Sequence, residues 1–217
     1  LGRSLLMLGE HARLDQLSGS QARNPLQTRS RASRTLPLDL PAFALNRWSM
    51  RAANSLYHWR GRRSQGERLV DWDSYFYPLD ALLGWNRIYG RRGFMQFQCV
   101  LPLETAETGL TRLLETVADS GPGSFLSVLK RFGPQESAFS FPMEGYTLAL
   151  DFPVNPATRS LLQRLDAITL EHQGRFYLAK DSRMQASTFH ASDTRVPAFQ
   201  ALRRQRQLDS RYRSAQS

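Results

Sequence analysis

Residues 94–179 constrain the fold more than any other part of the chain. "FMQFQCVLP" (94–102) alternates apolar and polar residues and predicts a strand. "ETAETGLTRLLETVADSG" sets Leu110, Leu113, Leu114 and Val117 on one helical face and ends at Gly121. "SFLSVLKRFG" (124–133) predicts a second strand, and the turn-rich "PQESAFSFPMEG" leads into a third, "YTLALDFPV" (146–154). Asn155 is placed to cap a helix whose first position is Pro156, where a missing amide hydrogen costs nothing. Leu161, Leu165 and Ile168 line that helix, Gly174 follows its end, and "RFYLA" (175–179) predicts the fourth strand. The succession β-α-β-β-α-β predicts an α+β fold: an antiparallel sheet in ferredoxin-like order with both helices on one face. The other face is left to cover a ligand or another domain.

The flanks are less regular. Residues 1–17 predict a strand and a short turn, and the Ser-, Arg-, Gln- and Pro-rich residues 18–40 an exposed connection. In 41–60 the apolar residues Phe43, Leu45, Trp48, Leu56, Tyr57 and Trp59 return at mixed spacing, predicting a helix and then a strand. Residues 60–93 are dense in rings (Trp72, Tyr75, Phe76, Tyr77, Trp85, Tyr89) with little periodicity, as in a lid over a site or a packed irregular support. Residues 184–217 read as helical and very basic.

A chain of 217 residues with 41% hydrophobic content can bury a real core. Its single cysteine, Cys99, excludes an internal disulfide framework and a cysteine-built zinc site. The histidines (His11, His58, His172, His190) show no metal-ligand spacing, so no metal site is expected. No stretch approaches the about 18 apolar residues that span a bilayer. The net charge of +10 favours an acidic partner: nucleic acid, anionic lipid or a phosphorylated substrate.

The chain writes nearly all its positive charge as arginine; of 29 basic residues only Lys130 and Lys180 are lysine. Against that background a retained lysine points to a need for a compact, titratable amine. Gln96 and Gln98, two apart, share one face of their strand, and Thr147 shares a face with Ala149 and Asp151. Singly, each of these is an ordinary solvated polar residue. Together, Gln96, Gln98, Lys130, Thr147 and Lys180 make a poor core and a good floor for a polyhydroxylated ligand. The alternative for this topology is an RNA-binding module, which stacks bases on sheet aromatics. Here the corresponding strand places Glu144 where a basic residue is wanted and Leu148 where a ring is wanted, so no nucleic-acid partner is expected.

"FYPLDALLGWNRIYGRRGFMQFQCVLP", "SFLSVLKRFGP", "SFPMEGYTLALDFP" and "GRFYLAKDSRM" resemble the oxidase component of decaprenylphosphoryl-β-D-ribose 2′-epimerase. They also resemble the wider group of FAD-linked oxidoreductases with a vanillyl-alcohol-oxidase-type flavin domain. The resemblance runs through nearly the whole chain. It implies an FAD-dependent oxidation of a secondary alcohol on a sugar or lipid-linked sugar phosphate, with hydride passing to the flavin. It assigns Lys180 to both the substrate pocket and the flavin, Tyr177 to the flavin, and Lys130, Gln96 and Gln98 to the substrate. An ammonium beside a reduced flavin either stabilises developing negative charge or assists proton transfer from the hydroxyl. Both lysines of the chain thus fall on pocket positions.

The chain also departs from its relatives. Some members of the family it resembles have Asn and Cys on the third strand where this chain has Thr147 and Ala149, and the family usually has His before "PLD" where this chain has Tyr77. These changes bear on the identity of the sugar. The resemblance further implies that residues 1–40 are the edge of a flavin domain and a linker. Residues 41–179 are then the substrate-binding domain with its lid at 60–93, and 180–217 a segment returning toward the flavin domain. The main flavin-binding domain is expected outside this chain, which alone is expected to be inactive. An epimerase reductase is the implied partner. The expected location is the cytoplasm, at a membrane surface where exposed arginines meet anionic lipid.

Overall fold

The computed structural model describes residues 5–27, 32–41, 44, 46–64, 66–121, 124 and 126–212, divided between two units, Leu1–Arg91 and Arg92–Ser217.

The first unit is sparse in regular structure. A 3-10 turn at Leu14–Gln16 precedes α1 (Gly19–Arg23), and the short strand β1 (Arg34–Thr35) pairs in parallel with β2 (Leu82–Leu83). Between them lie α2 (Arg47–Arg63) and α3 (Trp72–Phe76), and a 3-10 turn follows at Trp85–Tyr89. The strand expected in 1–17 is not seen in residues 5–13; residues 1–4 lie outside the described residues. Most of the apolar side chains in 5–13 bury little area: Leu6 and Leu8 are each 86% exposed, and only Leu5 is half-buried, against Gly61. The helix-then-strand expected in 41–60 is instead the single helix α2, and Phe43 and Leu45 lie outside the described residues. The reason is local. The Asn46 side chain accepts from the amides of Trp48 and Ser49, and no β-branched residue or proline interrupts 47–63. In the aromatic-rich stretch, Trp72, Phe76 and Tyr77 are exposed while Ile88 and Tyr89 are buried. Arg87 fastens the latter end by donating to the carbonyls of Leu36 (2.8 Å) and Pro37 (2.9 Å).

The second unit carries the sheet. In chain order it comprises β3 (Phe94–Leu101), α4 (Leu103–Asp119), β4 (Ser127–Phe132), β5 (Gly145–Pro153), α5 (Pro156–Glu171) and β6 (Arg175–Phe176). The four strands form one antiparallel sheet in the order β4-β5-β3-β6. The helices α6 (Ala186–Ser192), α7 (Val196–Gln205) and α8 (Leu208–Arg211) follow, as the basic tail predicts for residues up to 212. The fourth strand is shorter than "RFYLA": after Phe176 the chain turns into a 3-10 helix at Leu178–Lys180. Asn155 does cap α5, accepting from the Thr158 amide at 2.8 Å with Pro156 at the first turn.

Strand period divides the sheet into two unlike faces. Met95, Phe97, Cys99 and Leu101 of β3 and Leu148, Leu150 and Phe152 of β5 are buried in one cluster with Leu113 and Val117 of α4 and Leu161, Leu162, Leu165 and Ile168 of α5. Two glycines let backbone approach closely. A Cβ at Gly109 would lie 2.6 Å from Leu101 Cδ1, and one at Gly145, whose φ is +151°, would lie 2.0 Å from the Leu101 carbonyl oxygen. The residues between those of the core point to the opposite face.

Candidate functional site

On that opposite face the register aligns Gln96 with Asp151, Gln98 with Ala149, and Lys130 with Thr147. Arg175 of β6 lies beside Val100, and Tyr177 continues the row, its amide donating to the Gln98 carbonyl at 3.0 Å. The Lys180 amide donates to the Tyr177 carbonyl at 2.9 Å, opening a 3-10 turn that the Asp181 amide closes on the Leu178 carbonyl at 3.2 Å. Register and chain path therefore place Gln96, Gln98, Lys130, Thr147 and Tyr177 on the helix-free side, and Lys180 follows Tyr177 through the 3-10 turn, its charge acting on Asp151.

Two of these side chains hold each other. Gln98 Nε2 donates to Thr147 Oγ1 at 3.0 Å, and the Thr147 side chain is almost fully buried. Lys130, opposite Thr147, is exposed, whereas Lys180 and Tyr177 are half-buried.

Asp151 was not singled out from the sequence, although it shares the Thr147 face. It is 2% exposed; Oδ1 accepts from Gln96 Nε2 at 2.8 Å, and Oδ2 has no hydrogen-bond partner. Burial pushes its carboxyl above the ordinary value, and the Gln96 hydrogen bond and the Lys180 charge pull back against that. An exposed aspartate in an alternating strand would read identically in sequence, so the signal was only the company of Gln96 in register.

One end of the face is roofed. Phe141 stacks on Tyr177 with centroids 4.7 Å apart and meets Phe132 of β4 edge-on at 6.1 Å. Arg175 Nη1 donates to the carbonyls of Ser140 (3.2 Å), Phe141 (3.4 Å) and Pro142 (3.4 Å). Arg195 Nη2 donates to Ser140 O at 2.7 Å, and Asp193 joins the two arginines, 3.3 Å from Arg175 Nε and 2.7 Å from Arg195 Nη2. Burial raises the Asp193 carboxyl, but the Arg195 hydrogen bonds and both guanidinium charges outweigh it and hold the group below its ordinary value. This cluster joins residues some 55 apart along the chain, and nothing local in sequence announces it.

The chain's sole thiol takes no part. Cys99 points into the core, and burial pushes its pKa up to about 12. Among the described residues no three His, Cys, Asp or Glu converge as a metal site, and no helix is long and apolar enough to cross a membrane.

The arrangement combines two side-chain amides, two amines and a buried carboxylate around one half-roofed surface. Such a floor can orient a polyol and hold charge close to it. No family model matches the chain. Decaprenylphosphoryl-beta-D-ribose oxidase of Mycolicibacterium smegmatis is 35% identical over 205 residues, which is 94% of this chain and 44% of that protein. An uncharacterised protein from the mprA 5′ region of Streptomyces coelicolor is 29% identical over 208 residues, or 93% of this chain and 56% of that protein. The chain spans about half the length of these curated relatives. Over nearly its whole length, then, this chain is a partial homologue of decaprenylphosphoryl-beta-D-ribose oxidase.

Proposed function

We propose that this chain is the substrate-holding part of an FAD-dependent oxidoreductase that oxidises a secondary alcohol on a lipid-linked ribosyl phosphate. The observation that carries the reading is the identity to the oxidase together with Lys130 on the polar sheet face and the Lys180 charge acting on Asp151. The succession and strand order of the second unit are read as ferredoxin-like. Within the whole protein, residues 1–40 serve as the edge of the flavin domain and a linker, 41–179 as the substrate-binding domain, and 180–217 as the return toward the flavin domain.

Lys180 and Tyr177 would hold FAD, which would supply the acceptor for the hydride of the alcohol. The donors present suit the polar edge of the flavin ring: a half-buried amine at Lys180 and a half-buried phenol at Tyr177, each tethered through its backbone amide. Lys180 stabilises negative charge that develops beside it. Tyr177, fixed by its stack on Phe141, presents only its free side. Gln96 and Gln98 orient sugar hydroxyls, Thr147 sets the Gln98 amide, and exposed Lys130 meets the phosphate. Exposed arginines favour an anionic membrane surface, and a reductase would complete the epimerisation.

An RNA-binding role has less support, because Phe132, Phe141 and Tyr177 pack on one another and leave no paired platform for bases. The test is a visible spectrum of this chain combined with a flavin domain from a relative, with Lys180→Met alongside. Bleaching of the flavin band by a ribosyl-lipid phosphate, lost in the variant, is the expected result. A flavin band indifferent to the sugar lipid in the parent protein would refute the reading.

A further inference from the structure

Helix α2 (Arg47–Arg63) has two unlike sides. Met50, His58 and Gly61 share one side at helical spacing and are half-buried, and a Cβ at Gly61 would run into Leu5 Cδ1. Trp48, Ala52, Leu56 and Trp59 recur at helical spacing on the other side. All four are exposed: Trp48 by 70%, Leu56 by 55% and Trp59 by 49%. Arg51 and Arg62 border that stripe on one flank and Arg60 on the other, and all three are exposed. The Arg63 guanidinium lies 3.9 Å over the Trp59 ring. The sequence supplies no local counter-charge, since no Asp or Glu occurs between Asp39 and Glu67. None of Arg51, Arg60 and Arg62 is in an ion pair among the described residues. The helix is neither long nor apolar enough to cross a bilayer.

A stripe of tryptophan, alanine and leucine bordered on both flanks by arginine complements a surface that is apolar within and anionic at its boundary. We propose that α2 lies in the plane of an anionic lipid bilayer, with the Trp48–Ala52–Leu56–Trp59 stripe at the junction of headgroups and acyl chains and Arg51, Arg60 and Arg62 on lipid phosphates. Indole rings favour that junction, and arginine stems follow apolar surface while their guanidiniums stay at the phosphate level. Nucleic acid, the other polyanion, would take the guanidiniums and stack on the indoles, but would leave Ala52 and Leu56 in water. The inference goes beyond the oxidoreductase reading: it assigns the membrane contact to one helix and to lipid charge, and it does not depend on the polar sheet face.

The test is co-sedimentation of the full chain with vesicles of phosphatidylcholine alone, or of equal parts phosphatidylcholine and phosphatidylglycerol. The variants are Arg51→Gln/Arg60→Gln/Arg62→Gln, Trp48→Gln/Trp59→Gln and a control, Arg159→Gln/Arg204→Gln/Arg206→Gln, which removes three exposed arginines from α5 and the end of α7. The parent should bind the mixed vesicles, and added salt should weaken that binding. An arginine near an anionic surface contributes about five-fold, so the triple change in α2 should weaken binding about 100-fold. The tryptophan variant should lose at least about ten-fold, and the control should stay within about two-fold. Equal binding of the parent to both kinds of vesicle, or equal weakening by the α2 triple variant and the control, would overturn the proposal. A complex with a single-stranded oligonucleotide in place of vesicle binding would overturn it in favour of nucleic acid. A dimer in its place, dissolved by the tryptophan variant in gel filtration, would overturn it in favour of a second copy. The vesicles hold neither sugar lipid nor flavin, so failure here leaves the oxidoreductase reading standing, and failure of the flavin test leaves this inference standing. Far-ultraviolet circular dichroism of each variant separates a lost contact from a lost fold.

Discussion

Replacing Asp193 by alanine probes the linkage between the C-terminal helices and the roof of the site. Asp193 is 4% exposed and accepts from the Arg195 amide (3.0 Å), Nε (2.9 Å) and Nη2 (2.7 Å), while Arg175 Nε lies 3.3 Å away. Removing one member of a buried pair costs about 3–5 kcal/mol, because the partner charge stays behind. Both arginines retain some solvent contact and keep carbonyl acceptors on Ser137 and Ser140–Pro142, so the cost here should be about 2–3 kcal/mol. With a urea dependence of about 2 kcal/mol per molar, the unfolding midpoint should fall by about 1–1.5 M. The pH dependence gives a second reading. A carboxyl held below its ordinary value of 3.8 contributes stability that is present above that value and is lost as pH falls through the lower folded value. The parent should therefore lose stability on acidification that Asp193→Ala never had, and the two curves should converge at low pH. A midpoint shift below about 0.3 M, or parallel acid curves, would refute this account.

Other consequences are simpler. Asp151→Asn should raise stability at neutral pH by about 1 kcal/mol, seen as a higher urea midpoint, since it removes a buried charge with an unbonded oxygen. The sign follows from the raised carboxyl: its charged form opposes folding, and the parent should gain stability as pH falls through the folded value, whereas the variant should not. Gly145→Ala should cost at least about 2 kcal/mol in the same assay, because φ is +151° and the added Cβ would meet the Leu101 carbonyl oxygen, which cannot move aside. Cys99 should resist a thiol reagent at pH 8 in the native protein and react promptly in denaturant, given its burial and a pKa of about 12.

The second unit was largely legible because its signals are local. Alternation marks β3 and β5, leucine spacing marks α4 and α5, and the Asn155–Pro156 pair marks where α5 starts. The first unit misled where apolar residues recur with little to pack against. Leu6 and Leu8 look like a strand and are exposed, and the mixed aromatics of 47–60 sit on a helix defined by its cap. Strand β6 was overextended because "RFYLA" has strand composition throughout, yet the Lys180 amide bonds back to Tyr177 and ends the ladder. For the site, the lysine count and the Gln96–Gln98 spacing indicated where to look. The state of Asp151 and the Arg175–Asp193–Arg195 cluster depend on contacts distant in sequence, which no local pattern encodes.

The continuous register from Phe94 opposite Pro153 to Leu101 opposite Tyr146 has a consequence for how this surface could diversify. Core and polar face are two sides of one ladder. A slip of one residue in β3 would drive Gln96 and Gln98 under the helices and turn Phe97 and Cys99 outward. The backbone therefore cannot be adjusted to suit a new ligand without dismantling the interior. Change is confined to exchanging individual side chains on the outer row, such as Thr147 or Ala149, and to redrawing the 137–142 segment that roofs one end. A lineage with this fold would vary its substrate by single substitutions on a fixed lattice, while the positions between them stay silent.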